Sequence, residues 1–394
     1  MKNKNLKIAL VHDYLKEYGG AESVLETLSD LYPKADIFTS IYLSKFFGPH
    51  QSRLHQKWQG RVHTSFLQHL PFKAKLVSLF RFVSPLAFKS FDFSGYDLII
   101  TSATGAYFPN ALNKGQAKLI CYCHTPPRYL YGLATARDLK KYPLLNFLTQ
   151  IVFHFLRLAD FKYAQNVDQF ISNSHTVKLR IQKFYRKNAI IINPPVTLPK
   201  SLEFRVSDLE FPERKFFLAG GRLARAKRYD IAILACNKLK LPLKIFGRDF
   251  AGHLNELKAL AGPTIEFLGE IDNQTKYQLM SQAKAFIFCS DNEDFGIIPV
   301  ESMACGTPVI GFKSGGVTET VVDGKTGVLF DDLTPNSCAK AIQKFQKLKI
   351  NPKDCLTQAQ KFSSQVFIKK IKELIYLVYL SLSVTTSSSS SNPT

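Results

Sequence analysis

The sequence predicts an α/β protein of two doubly wound domains, each a parallel sheet with helices on both faces. Three observations carry this. Short apolar strands alternate with helical stretches, which is the pattern of a parallel sheet. The alternation stops once, from Asn193-Pro194-Pro195-Val196 to about Pro212, in a proline-rich, charged stretch without periodicity, and then restarts. A length of 394 residues gives enough chain for two or three domains with sizeable cores.

The first series opens with a strand at Lys7–His12, a loop ending Tyr18-Gly19-Gly20-Ala21-Glu22, and a helical pattern to about Leu31. Tyr96–Thr101, Lys118–Cys123, Gln169–Ser172 and Ala189–Ile192 follow as short runs rich in apolar and aromatic residues. The second series reads Lys215–Ala219, Leu243–Phe246, Ile265–Leu268, Ala285–Cys289 and Pro308–Phe312. The expected organisation is an N-terminal domain over residues 1–196 and a second over 197–364. A helix at 365–383 is expected to pack back across the junction, and a serine-rich, disordered tail to occupy 384–394. In two such domains ligands bind at the carboxyl ends of the strands, so a cleft between the domains is the expected site.

Composition narrows the class. Hydrophobic residues make 45% and charged residues 21% of the chain, as in a soluble globular protein. The hydrophobic stretches are too short or too interrupted for a spanning helix, and Leu6–His12 is too short for a secretory signal. Seven cysteines, mostly inside apolar runs, suit a reducing cytoplasm. The spacing of Cys121 and Cys123 matches neither a zinc knuckle nor a redox pair, and no clustered His/Asp set points to a metal.

The net charge of +21 is uneven. Residues 1–196 hold 26 Lys and Arg against 11 Asp and Glu, whereas the remainder holds 26 against 20. No carboxylate occurs between Asp36 and Asp92, an interval containing Lys45, Arg53, Lys57, Arg61, Lys73, Lys75, Arg81 and Lys89. Within it Leu76, Leu79, Phe80 and Val83 recur at helical spacing, with Lys75, Ser78 and Arg81 opposite. A basic amphipathic helix of this kind reads as a contact with an anionic membrane surface, across residues 45–89; a core helix with a solvated basic back has the same pattern. Nucleic acid is not expected, because no recognition motif accompanies the charge. The protein is expected to be cytoplasmic, peripheral at the inner face of a membrane.

The densest chemistry lies in Asn292-Glu293-Asp294-Phe295-Gly296-Ile297-Ile298-Pro299-Val300-Glu301. Seven residues separate Glu293 from Glu301, one in a loop after a buried strand and one in the helix that the loop feeds. Pro299 suits a first helical turn, and Gly306 with Pro308 ends the helix. The first-turn amides offer an anion site. A sugar joined to a diphosphate needs an anion site beside groups that hold hydroxyls, and this segment supplies both. The same acids also fit a solvated loop before an ordinary helix.

Gly220-Gly221-Arg222 through Lys227-Arg228 follows the first strand of the second domain. Glycines leaving a strand let backbone approach a phosphate, and cations at Arg222 and Lys227 can clamp a diphosphate as it gains charge on leaving. Alone, the cluster also reads as a basic turn. Gly19-Gly20 is not a dinucleotide fingerprint, and His124 stands where a buried strand ends.

Taken together, His12-Asp13-Tyr14, Gly19-Gly20-Ala21-Glu22, Cys123-His124-Thr125-Pro126, Ser172-Asn173-Ser174, Asn193-Pro194-Pro195, Gly221-Arg222, Lys227-Arg228, Glu293 with Glu301, and Gly315-Gly316-Val317-Thr318-Glu319 resemble family-four retaining glycosyltransferases of the GT-B fold. The likeness covers about residues 6–370 in order and is nearest to bacterial mannosyltransferase-like members that build envelope or O-antigen polysaccharides. The resemblance implies a nucleotide diphosphate sugar as donor, a glycan or lipid-linked acceptor, and no cofactor. It implies that Gly19 and Gly20 shape the loop over the donor phosphate and that His124 contacts the donor sugar. Arg222 and Lys227 would hold the diphosphate. Glu293 would meet sugar hydroxyls, helped by the amides of Phe295, Gly296 and Ile297, and Glu301 would bind the ribose. Catalysis would then involve His124, Glu293, Arg222 and Lys227, by retaining, metal-independent front-face attack. Two rival readings share these residues: another GT-B activity, such as an epimerase or a phosphorylase, and a non-catalytic scaffold of envelope assembly.

Overall fold

A computed structural model describes residues 6–133, 143–197 and 214–388. Two all-parallel sheets organise it. The first has seven strands: β1 (Ile8–His12), β2 (Asp36–Thr39), β3 (Val62–Thr64), β4 (Leu98–Ala103), β5 (Lys118–Cys123), β6 (Gln169–Ser172) and β7 (Ala189–Ile191). Its order is β3-β2-β1-β4-β5-β6-β7. The second has six: β8 (Phe216–Gly220), β9 (Leu243–Phe246), β10 (Ile265–Gly269), β11 (Ala283–Phe288), β12 (Val309–Phe312) and β13 (Gly327–Phe330), in the order β10-β9-β8-β11-β12-β13.

Strands buried on both faces explain why the sequence runs are continuously apolar. Along β1, Ala9 and Val11 enter one core with Phe88 and Leu119, while Ile8 and Leu10 enter another with Leu25 and Tyr122. The same period of two divides β11, with Ala285 and Ile287 on one face and Phe286 and Phe288 on the other. Strands β2, β3 and β13, four, three and four residues long, are added to those expected from the sequence.

In each sheet the strand order reverses once, between β1 and β4 and between β8 and β11. Loops at such a switch point diverge and leave a crevice. The chain crosses between domains twice. Val196 bridges Ser363 where the second crossing runs beside the first. From there the helix Ser364–Ser388 returns to the first domain, burying Phe367, Ile371, Leu374 and Ile375 against Leu10, Leu25 and Tyr122. This helix extends five residues past the expected end at 383, and residues 389–394 and most of the linker, 198–213, lie outside the described residues.

The expected continuous amphipathic helix around Leu76–Val83 does not form. One helical turn at Lys73–Leu76 gives way to a 3-10 turn at Phe80–Phe82 and a short helix at Ser84–Lys89. Pro85 occupies a first-turn position of that last helix; inside a longer one its ring would strike the carbonyl of Arg81. Phe80 turns into the core, whereas Leu79 stays 59% exposed. The segment is therefore basic and apolar but not one helix.

Candidate functional site

Carboxyl-end loops from both sheets meet in the crevice. The helix Gly20–Leu31 begins directly after Gly19, whose amide donates to Glu22 Oε2 at 2.9 Å. Across the crevice the helix Ile297–Ala304 begins after Gly296, which adopts a left-handed φ of 85°. The two helix starts abut: a Cβ on Gly20 would lie 2.8 Å from Ile297 Cδ1. Gly19, Gly20, Phe295, Gly296 and Ile297 are thus brought together from sequence positions far apart, and both helix N-termini lend positive potential to one place.

Beneath them β8 and β9 end in close backbone contact. Gly247, at φ 140°, leaves room for Gly221 O, which a Cβ would approach to 1.7 Å. Gly315 and Gly316 do the same for the acidic loop. Gly316 N donates to Glu293 O at 2.8 Å, and a Cβ on Gly315 would sit 2.2 Å from that oxygen.

Lys227 donates to Glu293 Oε2 at 2.5 Å, and Ser290 Oγ donates to the same oxygen at 2.6 Å. Burial alone would raise the Glu293 pKa, but Lys227 above all, with Ser290 and Arg128, pulls it down to about 2. Glu293 is therefore a fixed carboxylate. Arg222 reaches the other domain: its Nη1 donates to Glu17 Oε1 at 3.0 Å, and its guanidinium lies 5.0 Å from the Phe250 ring centroid. Arg248 donates to the second oxygen of Glu17 at 3.3 Å. Half of the Arg222 side chain is exposed, so it can release Glu17 for an anion. Glu301, in the second turn of its helix, is buried and accepts from Lys276 Nζ at 2.7 Å.

His124 leaves β5 with its Nε2 2.9 Å from Ser102 Oγ, which lies 3.1 Å from His12 Nδ1. Burial, and secondarily His12, depress the His124 pKa to about 3, so the ring is neutral. His12 is wholly buried; its Nε2 makes no hydrogen bond and stands 3.5 Å from Glu22 Oε1. Three adjacent strands thus line up a polar row that ends on the loop of Gly19.

Several residues around the site were given no role from the sequence. Asp294 Oδ1 accepts from Arg128 Nη2 at 2.7 Å and from Arg180 Nη1. Both arginines also donate to Asn292 O, at 2.8 and 3.1 Å. Glu319 accepts from the amides of His175 and Thr176, at 2.7 and 3.0 Å, at the start of the helix His175–Tyr185. These contacts, with Glu17, tie the domains together on several sides of the crevice. Their partners lie more than 100 residues apart, so no local pattern reveals them.

A crevice between two Rossmann-like domains, lined by facing helix starts and by Arg222 and Lys227, is the architecture of a GT-B protein. Residues 18–198 match the Glycosyltransferase Family 4 profile, and residues 201–362 match Glycosyl transferases group 1. The two profiles together span most of the chain, one on each domain, and the pair of parallel sheets is the GT-B fold. It is 26% identical over 280 residues to the alpha-1,3/1,6-mannosyltransferase alg2 of Schizosaccharomyces pombe, which covers 60% of this chain and 53% of that protein. The match thus spans about half the length of that relative. The Dictyostelium discoideum alpha-1,3/1,6-mannosyltransferase ALG2 is 27% identical over 72% of this chain and 76% of its own length. Among solved structures, sucrose-phosphate synthase from Thermosynechococcus elongatus superposes with a TM-score of 0.69 at 18% identity, covering 95% of this chain and all of that one. Anabaena HepE in complex with UDP and glucose does so at 0.66 and 19%, covering 94% of this chain and all of its own. These two likenesses concern the fold alone.

Proposed function

We propose that the chain moves a hexose, with mannose favoured, from a nucleotide diphosphate sugar to a hydroxyl of a glycan or lipid-linked acceptor in cell-envelope polysaccharide synthesis. The transfer retains configuration and uses no metal. The observation that carries the reading is Lys227 on Glu293 and Arg222 at the crevice edge, beside two opposed helix starts. In this reading the Arg222 and Lys227 side chains move onto the diphosphate, Glu293 accepts from sugar hydroxyls, and neutral His124 meets the sugar. Glu301, with Lys276, lies at the ribose end. The acceptor oxygen bonds to the anomeric carbon on the face that the phosphate leaves. The phosphate oxygen keeps the bonding pair and takes the acceptor proton. Positive side chains that strengthen their hold as charge develops favour the transition state over the bound substrate.

The relatives named as mannosyltransferases favour mannose, and the neighbour bound to UDP and glucose favours a nucleotide donor. The test is incubation of the purified protein with GDP-, UDP-, dTDP- and ADP-sugars, measuring which diphosphate is released and the anomeric configuration of the product. Release from GDP-mannose with an α-linked product is the expected result. No release from any donor, with acceptor extracts present, overturns the reading.

A further inference from the structure

Two neighbouring parts of the N-terminal domain leave large apolar side chains in solvent. One is the broken segment between Phe66 and Lys89, where Phe72 is 74%, Leu79 59% and Leu86 61% exposed. The other is the helix Pro143–Gln165, which is apolar on two opposite faces. Its inner face buries Phe153, Asp160 and Ala164, while Ile151, Phe155 and Leu158, half a turn round, are exposed, Phe155 by 65%. The parts are joined through Tyr129, whose ring lies 4.5 Å from the Arg81 guanidinium and 5.4 Å from the Phe153 ring. A second link is Lys89, 5.7 Å from the Tyr163 ring.

Charge decides what covers this face. The segment holds Lys73, Lys75, Arg81 and Lys89 and no acid, and Lys162 stands among the exposed apolar residues of the helix. The helix has one carboxyl group, Asp160, which is turned inward to the Tyr131 hydroxyl at 2.9 Å. A second copy of the chain laid on the same face would set lysine against lysine with no counter-charge, which disfavours a symmetric dimer. Apolar groups ringed by lysines match a bilayer carrying negative headgroups, where the rings enter the acyl boundary and the ammonium groups stay at the phosphates.

We propose that this two-part face docks the chain on an anionic lipid bilayer, with Phe72, Leu79 and Leu86 from the segment and Ile151, Phe155 and Leu158 from the helix entering the headgroup layer. The helix supplies half of the apolar anchor, a role that the basic run at 45–89 does not include. The face also borders the crevice. Tyr129 follows Arg128, the partner of Asp294, and Lys16, in the loop that leads to Gly19, donates to Ala74 O at 2.9 Å. Docking therefore sets the crevice mouth next to the lipid, and, resting on the transfer reading above, delivers a lipid-linked acceptor to it.

The test is sedimentation of the full chain with vesicles of phosphatidylcholine alone or with about one-third phosphatidylglycerol. Binding is expected to the anionic vesicles and to weaken in about 0.5 M salt. Phe72→Ser with Leu79→Ser, and separately Ile151→Ser with Phe155→Ser, should each weaken binding at least about tenfold. Melting temperature should hold in both, because the side chains are already in solvent. Wild-type protein left in the supernatant with anionic vesicles overturns the proposal. Wild-type binding by the helix variant overturns the two-part face, and a dimer dispersed by these substitutions assigns the face to self-association instead. Pelleting needs no turnover, so vesicle binding without diphosphate release from any donor supports docking while overturning the transfer reading.

Discussion

At Lys227 and Glu293, opposite charges are held at 2.5 Å, and Lys227 is the chief group that keeps the buried Glu293 ionised. Lys227→Ala and Arg222→Ala should each lower kcat by at least about 100-fold, by analogy with loss of a preorganised charge-stabilising donor. Diphosphate release at wild-type turnover by either variant would remove the clamp. A second residue-level consequence concerns Asp160. Burial raises its pKa from 3.8 to about 7, against the hydrogen bond from Tyr131. The folded state then holds a proton that the unfolded chain loses above pH 3.8, so this group's contribution is complete below that pH and lost as pH rises through about 7. Over that window the loss amounts to at most about 4 kcal/mol. Asp160→Asn should therefore gain in melting temperature relative to wild type as pH rises from 4 to 7, with a constant difference above. A pH-independent difference in thermal melts would show that Asp160 titrates normally.

Among the elements, the strand ends are the sensitive parts. Gly247 permits β8 and β9 to finish in backbone contact under Arg222, at a φ that only glycine adopts freely. Gly247→Ala should cost about 2 kcal/mol or more in stability and also weaken donor binding, because relief of the overlap moves the Gly221–Arg222 backbone. Unchanged urea midpoint and donor affinity would mean that the contact is not needed. The strand run Lys215–Ala219 and the glycine pair Gly220-Gly221 after it were legible in sequence, since an apolar run ending in glycine has a local signature. The segment 72–89 was legible only in composition. Its helical spacing was real, but Pro85 and the pull of Phe80 into the core broke the helix.

For the whole molecule, the ties across the crevice govern its opening. Asp294 carries two arginines from the first domain, and Glu319 holds the start of the helix His175–Tyr185. Asp294→Ala leaves the buried Arg180 and the largely covered Arg128 without their shared carboxylate, which favours an open arrangement. A larger radius of gyration in solution scattering and a donor KM raised about tenfold are expected, with a smaller change in melting temperature of the separate domain cores. Identical scattering and KM would assign these arginines to local support of the loop alone.

The alternation of strands and helices, the two-domain division, the acidic and glycine-rich loops and the excess of positive charge are legible in the sequence, because each depends on neighbours within about a dozen residues. What tertiary structure decided is of another kind. It set Gly20 against Ile297, Arg222 against Glu17, and Arg128 and Arg180 on Asp294, and it left Phe155 in solvent on a helix whose opposite face is core. Such pairings arise where the carboxyl ends of two sheets are folded face to face. A one-dimensional pattern carries no information about which distant residues that folding brings within reach.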